Sequence, residues 1–360
     1  MTSDRSEARA LPFITVVMPV RNEARFIRET IESLLGQDYP ADRFEIIVAD
    51  GHSDDGTREI VCRIAREHPQ VRLLDNPGRR SSAGRNVGFR EGRGDVFVVV
   101  DGHCHIPDAS FLSHLAECFA RSGADCLGRP QPLDPPGLTP FQEAVALARA
   151  ARLGHGGDSL IYGDFEGYAS PVSNGAAYAR TVFDRVGYVN ERFDACEDVE
   201  FNYRVEKAGL TSYTSPKLTV RYYPRESLGG LLRQMRRYGR GRVRFYRSHP
   251  EAMSLTAVVP ACFTAGVFAA AFLAVCSLAL GGLPLALHAP LVLLSGLLAL
   301  YAALTILATA SICARHGLGH ALRLPAIFLA IHGGLGLGMW EEALSPERAP
   351  AQGASEEVRT

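Results

Sequence analysis

Between Ala252 and Ala314 the chain has no aspartate, glutamate, lysine or arginine, a gap of 63 residues, and only Arg315 and Arg323 carry charge before Glu341. A gap that long excludes a wholly soluble protein and reads as membrane helix. Net charge is missing too: the total is −1, and residues 1–251 balance 34 basic against 34 acidic groups, so no broad field points to nucleic acid. Lysine is nearly absent, with Lys207 and Lys217 beside 36 arginines, a bias of base composition and not of mechanism. The eight cysteines form no CxxC pair and no zinc-ligand spacing, and three lie in the apolar region. That disfavours a disulfide framework and suits a reducing compartment. No GxGxxG follows the first apolar run, so a dinucleotide-binding Rossmann site is unsupported. That run, Leu11 to Val20, is short, holds two prolines, lacks a small-residue cleavage site and leads into Arg21-Asn22-Glu23. It reads as a buried strand, not a signal peptide.

What is present alternates. Strands are expected in Leu11–Val20, Phe44–Ala49, Val71–Leu74 and Asp95–Val100, with helices over Phe26–Leu35, Thr57–Glu67 and Ser82–Arg90. Short links between them predict an α/β fold with a mostly parallel sheet and helices on both faces. Ligands of such sheets bind beyond the carboxyl ends of the strands, where Asp50 and Asp101 stand. Pro130–Pro140 then reads as a connection, Phe141–Leu153 as a helix and Gly154–Gly167 as a glycine-rich loop. A helix over Glu197–Ala208 is followed by short strands near Ser212 and over Leu218–Tyr223. Leu231–Arg247 places seven arginines among Leu, Met, Tyr and Phe, as expected of an amphipathic helix lying on anionic headgroups. Three spans are expected, near 257–280, 285–312 and 322–340. The link Gly281–Pro290 lacks Lys and Arg, so the positive-inside rule puts the large domain in the cytoplasm and the acidic tail outside. The third span is crowded with Gly333, Gly334, Gly336 and Gly338, a pattern of close helix packing. Residues 343–360 read as disordered.

Several polar groups could carry chemistry. Asp50-Gly-His-Ser-Asp-Asp-Gly-Thr57 either holds a base or ribose by hydrogen bonds or simply caps the next helix. Asp101 and His103 face the same way on an extended segment, so they can share a divalent cation with diphosphate oxygens and water. Such a metal would stabilise a leaving diphosphate. His105 is in register but reads as structural. Arg79, Arg80 and Arg85, near Asn86, could add cationic contacts to phosphates. Glu197, Asp198 and Glu200 open a helix, where the dipole alone would favour carboxylates; alternatively one of them is an ionised general base. Gln234-Met-Arg-Arg237-Tyr238 is either helix surface or part of a site.

In this order the features resemble the family 2 glycosyltransferases of GT-A fold, over roughly residues 13–245. Pro19-Val-Arg-Asn22-Glu23 is similar to that family's opening segment, the Asp50 turn to its nucleotide-contacting loop, and Arg85-Asn86-x-Gly88 to its diphosphate-side loop. Glu197-Asp198 resembles its acidic pair, whose second member activates the acceptor, and Gln234-x-x-Arg237-Tyr238 its QxxRW motif with Tyr in place of Trp. The usual DxD metal motif appears as Asp101-Gly-His103, similar to the succinoglycan-type exopolysaccharide glucosyltransferases. A nitrogen ligand shifts the expected cation from magnesium toward manganese. The resemblance implies a GT-A domain over 13–226 after an N-terminal tail (1–12). A basic interfacial region (227–250), three transmembrane helices (257–340) and a disordered tail (341–360) would follow. It implies an inner-membrane, multi-pass enzyme with a cytoplasmic catalytic domain. The enzyme would move a sugar with inversion from a nucleotide-sugar, a UDP-sugar being favoured, to a lipid-linked saccharide. Asp198 would be the base, Asp101 and His103 would hold the metal, Asp50 the nucleobase, and Asn174 would shape the sugar pocket. Other glycan-assembly proteins are candidate partners, and nucleic acid is not. Tyr238 weakens any case for processive polymerisation. Two readings compete: a polyprenyl-phosphate sugar synthase, and a catalytically silent nucleotide-sugar-binding membrane protein.

Overall fold

The computed structural model describes residues 11–155, 160–279 and 285–345. Most of the expected N-terminal tail, part of the glycine-rich loop and the tail beyond 345 lie outside the described residues.

Strand β1 (Ile14–Val20) is buried at every position, as an unbroken apolar run demands of a central strand covered on both faces. It pairs in parallel with β2 (Phe44–Asp50) and with β4 (Val96–Val99), and β3 (Val71–Asp75) adds in parallel to β2. Helices α1 (Ile27–Leu35), α2 (Thr57–Glu67) and α3 (Ser81–Glu91) make the crossovers. Helix α3 lies directly on β1, because a Cβ at Gly84 would meet Pro19 and Asn76 at 2.9 Å and one at Gly88 would run into Val17. The order in which strands are added reverses at β1, with β2 and β3 on one side and β4 on the other, and the crevice between the ends of β1 and β4 is where such a sheet binds ligands.

The second half is mixed, not parallel. After β5 (Cys104–His105) and α4 (Phe111–Ser122) come β6 (Cys126–Gly128), α5 (Pro140–Ala150), α6 (Arg152–His155), β7 (Gly167–Tyr168), α7 (Pro171–Asn174), β8 (Gly175–Ala179) and α8 (Arg180–Val186). Helix α9 (Glu197–Lys207), β9 (Ser212–Thr214) and β10 (Arg221–Tyr222) complete the domain. The large sheet runs β3-β2-β1-β4-β8-β6-β9-β7, with β8 antiparallel to both its neighbours, while β5 and β10 form a separate antiparallel pair. One face packs Ile31, Leu34, Phe111 and Leu115; the other packs Phe89, Phe97, Tyr178, Phe183 and Phe201. The aromatic face includes edge-to-face pairs such as Phe97 and Phe183, with centroids 5.2 Å apart.

Far from the crevice, Glu45 is buried at the start of β2. It accepts from Thr15 Oγ1 (3.0 Å), Arg72 Nη1 (3.0 Å), the Arg93 amide (2.6 Å) and Arg93 Nε (3.2 Å). Burial opposes its charge, but the Arg93 amide, Arg72 and Thr15 outweigh it and hold the carboxyl below its ordinary value. A depressed carboxyl stabilises the fold above its unfolded pKa, near 4.3, and loses that contribution as pH falls through its folded value. In Glu45→Gln the acid limb of a pH–Tm profile is expected to flatten below about pH 4.5, with a lower Tm at pH 7.

The C-terminal third holds α10 (Leu228–Ser248), α11 (Val259–Ala279), α12 (Leu285–His316) and α13 (Leu324–Leu344). Three helical stretches are long and apolar enough to cross a membrane: Leu255–Ala279 and Leu287–His316, with hydropathies of 2.2 and 2.4, and Leu324–Leu344 with 1.2. Because α12 already starts at Leu285, the link expected over Gly281–Pro290 is shorter. The tail expected to be disordered from 341 is instead helical through Leu344, because Glu341 and Glu342 pair with α10. The expected basic helix is present, but its arginines divide between two faces. Arg236 and Arg240 pair with Glu341, and Arg244 grips both oxygens of Glu342 at 2.9 Å with Arg247 beside it. Those four are spent on α13, not on lipid headgroups.

Candidate active site

A cleft of about 1500 Å3 opens beyond the carboxyl ends of β1 and β4 and runs along α9 and α10 to α13. Pro19, Asn22, Glu23, Arg85, Asp101, His103, Asn174, Glu197, Asp198, Gln234, Arg237 and Tyr238 all line it, although they come from segments spread over 220 residues. Two expected residues do not.

Asp50 lies under the wall, fully buried. Its Oδ2 accepts from the Ser53 amide (3.2 Å) and faces Arg58 Nη1 (3.5 Å), while Oδ1 has no partner. Asp50 thus braces the turn through Oδ2 and leaves Oδ1 as an open acceptor. Gly56 holds the N-cap position of α2 without a side-chain cap, and Asp55 Oδ1 before it accepts from the Thr57 amide at 3.0 Å. Asn86 is turned away from the cleft. Its amide donates to Val189 O (2.8 Å) and Glu191 Oε1 (2.7 Å) and accepts from the Val189 amide (2.9 Å), fastening α3 to the loop before α9. One helical step separates it from Arg85, which faces inward.

The opening segment is a brace as well as a wall. Asn22 accepts from the Asp54 amide (3.0 Å), its own amide donates to Ser53 Oγ (2.9 Å), and the Glu23 amide donates to Thr57 Oγ1 (2.8 Å). Asn22, His52, Arg79 and Cys196 are the non-glycine residues with φ near 60° among those described. Three of the four line the cleft, and such left-handed strain typically gathers at functional sites.

At the β4 end, His103 Nδ1 lies 2.9 Å from Glu23 Oε1. Burial disfavours the charged ring, but the hydrogen bond and charge of Glu23 win and raise its pKa. Gly102 permits this pairing, since a Cβ there would meet Glu23 Cγ at 2.9 Å. A carboxylate holding one ring nitrogen while the other stays free is the usual support of a metal-ligating histidine. The Asp101 carboxylate makes no hydrogen bond or ion pair among the described residues. Among the described residues no group of three or more His, Cys, Asp and Glu gathers to hold a metal by itself. The donor set fits a cation that takes two ligands from the protein and the rest from diphosphate and water.

Arg85 is the electrostatic centre. Its Nη2 is 3.5 Å from Glu197 Oε1, and both side chains are about nine-tenths buried. Burial works against its charge, yet Glu197, Asp198 and Asp101 together push its pKa above the ordinary arginine value. Glu197, conversely, is pushed up, first by burial and then by neighbouring Asp198, against the pull of Arg85. Asp198 occupies the second position of α9, exposed to the cleft, with Oδ1 accepting from the Val199 amide (2.8 Å). Gln234 Nε2 donates to Tyr238 OH (3.3 Å), and the Tyr238 hydroxyl has its pKa raised by burial. Asn174 Oδ1 accepts from Thr214 Oγ1 (3.0 Å), and its buried Nδ2 is without a partner.

Sequence reasoning missed Arg129. It is 2% exposed and lines the cleft, donating from Nη2 to Val99 O (2.7 Å) and Tyr222 OH (3.0 Å), with Nε and Nη1 unpartnered. An arginine between an apolar strand and a proline was its only local sign. Arg129→Met is expected to lower transfer more than stability, read as a fall in kcat/KM exceeding 10-fold at an unchanged Tm; a buried cation with open donors costs the fold more than it returns without a ligand.

The profile of glycosyl transferase family 2 matches residues 15–168. A succinoglycan biosynthesis protein, ExoA, of Rhizobium meliloti (strain 1021) is 36% identical over 247 residues, 68% of this chain and 73% of that protein. The dolichyl N-acetyl-alpha-D-glucosaminyl phosphate 3-beta-D-2,3-diacetamido-2,3-dideoxy-beta-D-glucuronosyltransferase of Methanococcus voltae is 25% identical over 234 residues, 63% of this chain and 72% of its own length. Among solved structures, the mannosyltransferase PcManGT of Pyrobaculum calidifontis, in complex with GDP-Man and Mn2+, superposes with a TM-score of 0.57. It covers 89% of this chain and 86% of its own at 22% identity, a likeness of fold.

Proposed function

The chain belongs to glycosyl transferase family 2, and from that premise we propose that it moves a sugar, with inversion at the anomeric carbon, from a nucleotide-sugar to a lipid-linked saccharide at a membrane face. The observation that carries the proposal is the convergence of Asp198, Arg85, Asp101 and His103 on one cleft whose far end is walled by the apolar Val145, Ile331 and Leu335. Donor and acceptor would enter from opposite ends. Relatives named for succinoglycan synthesis and for a dolichyl-phosphate-linked sugar support the lipid-linked acceptor.

In this mechanism Asp198 accepts the acceptor hydroxyl proton as that oxygen bonds to the anomeric carbon. The bond from that carbon to the diphosphate oxygen breaks, and its electron pair leaves with the nucleoside diphosphate. Asp50, buried beneath the cleft wall, shapes the nucleobase side by bracing the turn through the Ser53 amide. Arg85 offers its cation to the diphosphate and pairs with Glu197. Asp101 and His103 would hold a divalent cation, manganese before magnesium, which when bound neutralises charge on the leaving diphosphate. Glu23 keeps the ring oriented, so Glu23→Gln is expected to raise the manganese concentration for half-maximal activity about 10- to 100-fold.

The test is transfer of radiolabelled sugar to a polyprenyl-diphosphate saccharide by detergent-purified protein, with the anomeric configuration read by NMR. Inverted product on the saccharide supports the proposal. Product formed only on polyprenyl phosphate would transfer the assignment to the synthase reading.

A further inference from the structure

Helix α13 is long and apolar enough to be a third crossing, and it touches α11 through Trp340 and Ala261 and α12 through His332 and Tyr301, but the greater part of its contacts lie elsewhere. A 21-residue helix spans about 32 Å, so a crossing must carry one end to the far side of the bilayer. Here the start and middle of α13 touch the catalytic domain and its end touches α10. At its start, Leu324, Ile327 and Phe328 pack in one cluster with Ala144, Val145 and Ala148 of α5. At its middle, His332 Nε2 lies 2.8 Å from Leu153 O, and Ile331 and Leu335 wall the cleft. At its end, Glu341 and Glu342 pair with four arginines of α10.

Between these points the two helices approach backbone to backbone. A Cβ at Gly239 would run into Leu335 O, one at Gly338 into Arg236 O, and one at Gly334 would meet Met235 Cβ at 2.7 Å. Half of the apolar window of α13 is buried inside the protein, against 11% and 6% for the other two. Helix α10, with its seven arginines, cannot follow α13 into hydrocarbon.

We infer that only α11 and α12 cross the membrane, as a hairpin. Helix α13 returns to lie on the catalytic domain as the membrane-side wall of its cleft, and its end shares the side of the active site. Its exposed Leu329 and Leu344, and the half-exposed Trp340 whose Nε1 donates to Ala261 O at the start of α11, then meet the bilayer interface, a level that tryptophan favours. Charge agrees: α10, Arg315 and Arg323 fall on one side, and the hairpin tip, with no Lys or Arg, on the other. This reverses the expectation that the acidic tail lies outside.

The experiment places one epitope tag before Met1 and another after Thr360 of the full chain, then treats intact spheroplasts and inverted membrane vesicles with protease. Both tags are expected to survive in spheroplasts and to be cut in inverted vesicles. A C-terminal tag cut in spheroplasts that protect the N-terminal tag would overturn the inference, whatever sugar the enzyme moves. In parallel, Arg244→Glu and Glu342→Arg are each expected to lower Tm, and the double exchange to restore most of it. Absence of rescue would contradict the clasp.

Discussion

Asp198→Asn is expected to lower sugar transfer by about 10^3-fold while leaving donor binding nearly unchanged. Asparagine keeps the Oδ1 that accepts from the Val199 amide at 2.8 Å, so the first turn of α9 survives. What disappears is the carboxylate that takes the acceptor proton. An amide cannot accept it, and the loss therefore falls on kcat, not on KM for the donor. Steady-state kinetics with a Tm measurement check this. A tenfold loss or less at wild-type Tm would remove Asp198 from the base's role.

Arg85→Met carries the second large effect, and it divides between stability and chemistry. The guanidinium neutralises Glu197 inside the protein, where both side chains have lost most of their water. Removing one member of such a pair strands the other charge and costs about 3–5 kcal/mol. Arg85→Met is therefore expected to lower Tm markedly and to abolish transfer. Adding Glu197→Leu should recover most of the stability, because an apolar pair replaces the ionic one, but none of the transfer, because the diphosphate still lacks its cation. Recovery of activity in the double variant would make Arg85 a structural residue only.

Much of this was legible along the chain. Strands β1 and β2 announced themselves as mainly apolar runs ending in polar turns, and α2 begins and ends where its periodicity does. Asp101 and His103 were expected to share one side of an extended segment, but β4 ends at Val99 and Gly102 and His103 form a turn; both side chains line the cleft all the same. What escaped depended on partners distant in sequence. Asn86 and Arg85 are adjacent, and only the packing of Gly84 and Gly88 on β1 decides which one faces the cleft. Arg129 answers to Val99 and Tyr222, 30 and 93 residues away. Residues 324–344 are apolar enough for a span, and no local pattern tells a helix that crosses lipid from one that lies on its own domain. Contacts with residues distant in sequence separate the two, among them the packing of Leu324 and Phe328 on α5 and the pairing of Glu341 and Glu342 with α10.

The central claim is that this cleft holds a nucleotide-sugar, a divalent cation and a working base together. The measurement that tests it most directly is nucleoside diphosphate release by the purified full-length protein across a panel of nucleotide-sugars, with manganese, magnesium or EDTA, and with or without lipid extract. The account predicts release from one donor, highest with manganese, raised by lipid extract and lost in Asp198→Asn. Release that is indifferent to EDTA and to Asp198→Asn, or no nucleotide-sugar binding at all, would contradict it.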